Sequence, residues 1–88
     1  MNVWSPNKKP PTAEERLHIE RIKSMPCVLC EAPGPSDAHH IRQRSHFYTV
    51  PLCRACHDSW HGTKDLWRIK KWDELDAFAA TMERISHA

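Results

Sequence analysis

No run of about 18 apolar residues occurs in the 88-residue sequence, so it offers no candidate membrane-spanning helix. The opening stretch MNVWSPNKKPPTAEER lacks the apolar h-region of a secretory signal, and the expected location is cytoplasmic. There is no internal repeat and no low-complexity tract. Nor is there a dominant charge, since the formal net charge is only +2, too small to select a partner. Shortness is the most consequential deficit. A chain of 88 residues buries too little apolar surface to be comfortably stable alone, so a further staple is expected.

What charge there is lies unevenly. From Ser36 to Lys71, seven basic residues (Arg42, Arg44, Arg54, Lys64, Arg68, Lys70 and Lys71) stand against three acidic ones (Asp37, Asp58 and Asp65). After Lys71 the sign reverses, with Asp73, Glu74, Asp76 and Glu83 against Arg84. A polyanion would therefore be drawn to the middle of the chain.

Residues 1–11 form a Pro- and Lys-bearing arm without apolar periodicity, with Trp4 able to dock on the body; residues 12–88 read as one domain. Thr12 followed by Glu15 is a capping box, and it predicts a helix from Ala13 to Met25, ended by Pro26, with Leu17, Ile19 and Ile22 as its apolar contacts. EAPGPSD is turn chemistry. Two extended stretches follow, Asp37–Ile41 and Phe47–Leu52, the second rich in β-branched and aromatic residues. Helices are expected over Arg54–Trp60 and Asp73–Ile85. The latter carries Leu75, Phe78, Ala79, Met82 and Ile85 on one amphipathic face, which reads as structural.

The four cysteines come as two CxxC pairs, PCVLC (Cys27, Cys30) and LCRAC (Cys53, Cys56). One CxxC loop brings two thiolates to an ion, and two loops complete the four-thiolate shell that zinc favours. Without a secretory signal, zinc is favoured over a disulfide framework; a redox pair and an iron-sulfur cluster are the alternatives. Zinc is the expected staple, because its binding contributes folding free energy directly.

Five of the seven histidines fall within DAHHIRQRSHFYTVPLCRACHDSWHG, residues 37–62. His18 and His87 stand apart and read as surface or satisfied core residues. His57 and His61 are four apart on the expected helix, so their rings can share an ion. Cys56 and His57 are about 100° apart around that helix, which puts two metal sites on different sides of one element. His39 and His40 are consecutive, and in a regular strand such neighbours point to opposite faces; both can serve one site only at a strand end, bulge or twist. One of the pair can then complete a His-only divalent site with His57 and His61. The other is placed to act as a general base, and a metal with a base is equipment for phosphodiester hydrolysis.

The order CxxC, AHHI, CxxCH from Cys27 to His61 resembles the HNH or His-Me finger endonucleases, zinc-knuckle type. The resemblance implies a small α+β fold: a ββα-metal finger, stapled by Zn2+ on four cysteines and flanked by N- and C-terminal helices. It places His39, His57 and His61 as ligands of one catalytic divalent ion (Mg2+, Mn2+, Ni2+ or Zn2+) and His40 as the general base. It implies a metal-dependent endonuclease hydrolysing DNA. Within the superfamily, HHIR, VPLCRACH and WHG look most like small phage and prophage nucleases, including the RecA-dependent recombination-linked type, for which a RecA-type recombinase filament would be a partner. The position of the usual central Asn is occupied by Tyr48, which puts loop geometry in question; Thr49, Ser45 or His46 can substitute. His46 otherwise reads as a surface or loop-bracing residue.

Arg42 and Arg44 are the candidate phosphate contacts, because bidentate guanidinium bonds suit a phosphate held near a metal. Trp60, Trp67 and Trp72 lie among Lys64, Arg68, Lys70 and Lys71, an arrangement that suits stacking on single-stranded DNA. Core packing is the expectation for at least two of them. The alternative to an enzyme is a non-catalytic, treble-clef-like zinc module binding DNA or a protein. Four cysteines would be common to both, and the spare histidines separate them.

Overall fold

Thr12 caps helix α1 (Ala13–Ser24) through the reciprocal bonds of a capping box, its hydroxyl accepting from Glu15 N at 3.1 Å while the Glu15 carboxylate accepts from Thr12 N at 2.7 Å. Met25 leaves the helix in extended geometry, as the following Pro26 requires. The computed structural model describes residues 10–41 and 45–87. The expectations for Trp4 and the rest of residues 1–9, and for Arg42 and Arg44, lie outside them. Of the apolar residues expected to anchor α1, Ile22 is fully buried and Ile19 partly so, but Leu17 is 71% exposed.

After α1 the chain forms the first cysteine knuckle and then an antiparallel hairpin, β1 (Asp37–His40) and β2 (Thr49–Leu52), in which His39 pairs with Val50 and His40 with Thr49. Every residue of β2 is buried. The strand starts later than its apolar composition suggests: Phe47 and Tyr48 are each 44% exposed and belong to the turn. Ser45 sets that turn, its hydroxyl accepting from Phe47 N and its carbonyl from Tyr48 N. Pro51 costs β2 a donor, but its carbonyl accepts from Val28 N at 2.9 Å, tying the first knuckle to the hairpin.

Helix α2 (Arg54–His61) follows β2 directly, and then comes α3 (Asp65–Lys70), which the sequence did not announce. Lys64 and Lys71, both in left-handed conformation, flank α3 where glycine would be the usual signal. What fixes α3 is Trp67, which is 1% exposed and donates from Nε1 to Cys56 O at 3.0 Å. Trp67→Ala is expected to cost about 3–5 kcal/mol of stability, as large aromatic truncations do, read as a fall in Tm. Trp60 and Trp72 are partly buried against the same core, so packing accounts for all three residues.

Helix α4 (Glu74–Ser86) begins with a second capping box, from Asp73 and Asp76. Its buried face differs from the expected one. Ala77 and Thr81 have no exposed surface, while Leu75 is 51% exposed and Ala79 also faces out. Small residues allow α4 to approach the sheet closely, and the Thr81 hydroxyl is satisfied by Ala77 O at 2.8 Å. The result is a small α+β fold whose core joins Val28, Leu29, Ile41, Val50, Leu52, Trp67 and Ala77 to two of the cysteines, Cys27 and Cys56. No helix among the described residues is long and apolar enough to cross a membrane.

Candidate metal centre

Cys27 and Cys30 lie on a loop closed by two backbone bonds, Glu31 N to Cys27 O and Cys27 N to Ala32 O, with Glu31 in left-handed conformation. Cys53 caps the start of α2 and Cys56 sits in its first turn. The sulfurs of all four lie within 4.8 Å of one another, an arrangement compatible with a structural metal site. Cys30 Sγ and Cys53 Sγ are 3.6 Å apart. An ion with metal–sulfur bonds of about 2.3 Å in a tetrahedron requires sulfur separations of about 3.8 Å.

The electrostatics suit a cation. Burial raises the Cys27 pKa, but hydrogen bonds from the backbone of Cys30, Cys53 and Leu29 outweigh it and bring the thiol down to about 7. Cys56 is pushed well up, first by burial and then by the neighbouring sulfurs. Four thiolates cannot ionise side by side unaided, and a dication removes that repulsion.

On the other side of α2, His57 and His61 stand one turn apart with ring centroids 5.0 Å apart. His39 comes across from β1, its ring 5.0 Å from that of His57 and 5.4 Å from that of His61. One ring nitrogen from each of the three lies within 4.8 Å of the others. Carboxylates stand behind two of these rings. Asp37 Oδ2 is 3.1 Å from His57 Nδ1 and 3.1 Å from Arg54 Nη2, and Glu74 Oε2 is 2.6 Å from His39 Nε2. His39 is 4% exposed, and burial lowers its pKa even though Glu74 pulls it upward.

His40, the last residue of β1, has its Nε2 3.0 Å from His46 Nδ1, the two rings meeting edge to face. Burial lowers its pKa, and the nearby His46 and His39 add to the effect. The strand alternation thus gives the consecutive histidines different companions, and His46 acquires a position against the candidate base. All three suggested substitutes for a central Asn contribute to the loop. Thr49 donates its hydroxyl to His46 O at 3.2 Å, Ser45 organises the turn, and His46 meets His40. Tyr48 itself packs edge to face on Phe78 at 5.6 Å.

Beside the histidine cluster runs an open groove of about 500 Å³, lined by Trp60, Lys64, Arg68, Lys71 and Trp72 together with Trp67, Asp73 and Asp76. Trp60 belongs to both places, its ring 6.4 Å from that of His39 and 4.6 Å from Lys64 Nζ. Lys64, Arg68 and Lys71 outnumber the carboxylates of Asp73 and Asp76, so the formal charge of the groove's lining is positive by one.

Sequence reasoning did not select Asp37 or Glu74. Asp37 carries a signal, since it stands two residues before His39 and so projects from the same face of β1. Glu74 carries none, because only the fold brings α4 to β1. The chain matches no protein-family model, and comparison with curated proteins and with solved structures found no match.

Proposed function

We propose that the protein is a metal-dependent endonuclease hydrolysing DNA phosphodiester bonds, built as a ββα-metal finger with zinc on Cys27, Cys30, Cys53 and Cys56. A second divalent ion belongs to His39, His57 and His61. The observation that carries this reading is the convergence of those three histidines from β1 and α2, with carboxylates behind two of them. A module that only needs a scaffold has no use for a second ligand set. Four soft sulfurs suit zinc, and three imidazoles suit a borderline divalent ion while leaving positions for water and phosphate.

Bound there, a divalent ion supplies positive charge against the phosphate and lowers the pKa of water. The chain's own residues do the rest. His39, His57 and His61 hold the site from two elements whose separation is fixed by the hairpin. Asp37 accepts from His57 Nδ1, which directs His57 Nε2 inward. His40 takes the proton from the attacking water, and His46 orients the His40 ring. Arg42 and Arg44, which follow β1 in sequence, hold the phosphate. The groove of Lys64, Arg68 and Lys71 carries the strand away from the cluster past Trp60.

The reading is tested by metal stoichiometry and cleavage together. Two ions per chain are expected, and nicking of single-stranded, branched or duplex DNA should require the second, assayed with Mg2+, Mn2+, Ni2+ or Zn2+ and with or without a RecA-type filament. One ion per chain and no cleavage under any of these conditions would refute it. The groove makes a separate prediction. Lys64→Gln and Lys71→Gln should each weaken DNA binding irrespective of sequence and flatten the log K against log salt slope by about 0.9 on duplex or about 0.7 on single strands. Unchanged slopes in both variants would move the DNA path elsewhere.

A further inference from the structure

The histidine cluster draws on a residue from the opposite end of the fold's sequence. Glu74, the first residue of α4, lies 35 positions after His39, yet its Oε2 is 2.6 Å from His39 Nε2. Both side chains are shielded, 4% exposed for His39 and 14% for Glu74. Glu74 is not one of the mutually close ligand residues His39, His57 and His61, and it meets the group through its bond to His39. A carboxylate can only accept, so the bond requires a hydrogen on Nε2. In a neutral imidazole the other nitrogen, Nδ1, then carries the lone pair.

The geometry points to Glu74 as a positioning residue that fixes His39 in its Nε2–H tautomer, holds the ring against rotation, and leaves Nδ1 as the atom offered to the second ion. This inference rests on the histidine site proposed above. An anionic acceptor behind a ligand imidazole also makes that imidazole a better donor to a dication. Glu74 is itself held in place. Asp73 Oδ1 accepts from Leu75 N and Asp76 N at 3.0 and 3.1 Å, which fixes the first turn of α4. The C-terminal helix is therefore part of the metal centre and more than packing for it.

The test uses the full chain with zinc on its cysteines and Ni2+ as the probe of the histidine site. Titration calorimetry compares wild type, Glu74→Gln and Glu74→Ala, and long-range ¹H–¹⁵N correlation spectra read the His39 tautomer before Ni2+ is added. Wild type should show Nε2–H. Glu74→Ala should mix the two tautomers and bind Ni2+ about 10- to 100-fold more weakly, the usual effect of removing a residue behind a ligand. Glu74→Gln keeps an acceptor oxygen without the charge, so it should hold the tautomer and fall between the two in affinity. Unchanged zinc content and Tm show that the fold is intact, and should Glu74→Ala unfold, the Gln variant and the wild-type tautomer still decide. Nδ1–H in wild type, unchanged Ni2+ affinity in Glu74→Ala, or tighter binding there, as expected if Glu74 merely occupied the cation's place, would each overturn the inference. If wild type takes up no Ni2+, the histidine-site reading and the ligand role of Nδ1 fail together. In that case the tautomer spectra alone still decide whether Glu74 orients His39.

Discussion

Replacing Cys27 or Cys53 with Ser is expected to unfold the domain outright. Zinc bound to four thiolates contributes about 10–16 kcal/mol of apparent free energy in small peptides, as much as or more than the whole stability of an ordinary domain, about 5–15 kcal/mol. The position of the cysteines makes the loss worse than that of a peripheral clip. Cys27 and Cys56 are part of the apolar core, at 0% and 1% exposure, and Cys53 opens the helix that carries two of the histidines. Far-UV circular dichroism and a melting curve, with zinc content measured alongside, check the prediction. A Ser variant with native dichroism and an unchanged Tm would show that the four sulfurs sit together for another reason.

The second large effect separates chemistry from scaffolding. His40→Ala should leave both ions and DNA binding in place while slowing cleavage by about 10²- to 10⁴-fold, the range typical of a positioned base. His57→Ala should behave differently. It removes a ring from the three-histidine group, so activity should fall in step with occupancy of the second site, and excess metal should restore part of it. Plasmid nicking and metal titration on the same preparations tell the two apart. Wild-type cleavage by His40→Ala would remove the base assignment. Full activity in both variants would assign the cleavage to a contaminant or another site, and the reading as a non-catalytic zinc module would replace the nuclease reading.

Local signals carried most of the fold. The capping box at Thr12, the turn before the hairpin and the CxxC spacing each act within a few residues, and the helices and strands that were expected are present to within a residue or two of their bounds. Distances across the chain were less legible. The three histidines were selected by spacing on α2 and by resemblance on β1, and the fold brings one nitrogen of each within reach of the others. Glu74 was invisible because its partner lies 35 residues away. Helix α3 was missed because it spans six residues, is capped at both ends by lysines in place of the usual signals, and leaves Leu66 and Ile69 exposed at 40% and 80%. For α4, ranking by hydrophobicity chose Leu75 and Ala79, whereas close approach to the sheet selects for small size and buries Ala77 and Thr81.

That close approach has a mechanical consequence. Ala77, with no exposed surface, lies three residues after Glu74 and so on the same side of α4, and it acts as the spacer that sets how near the helix rides to the sheet. A well-packed interior does not absorb added methyl groups locally; it shifts. A larger side chain at position 77 would tilt α4 like a lever about its buried middle and draw the Glu74 carboxylate away from a ring that it meets at 2.6 Å. The volume of one core side chain is thereby geared to the aim of His39, and the tolerance of position 77 is set by the centre it supports as well as by the core it fills.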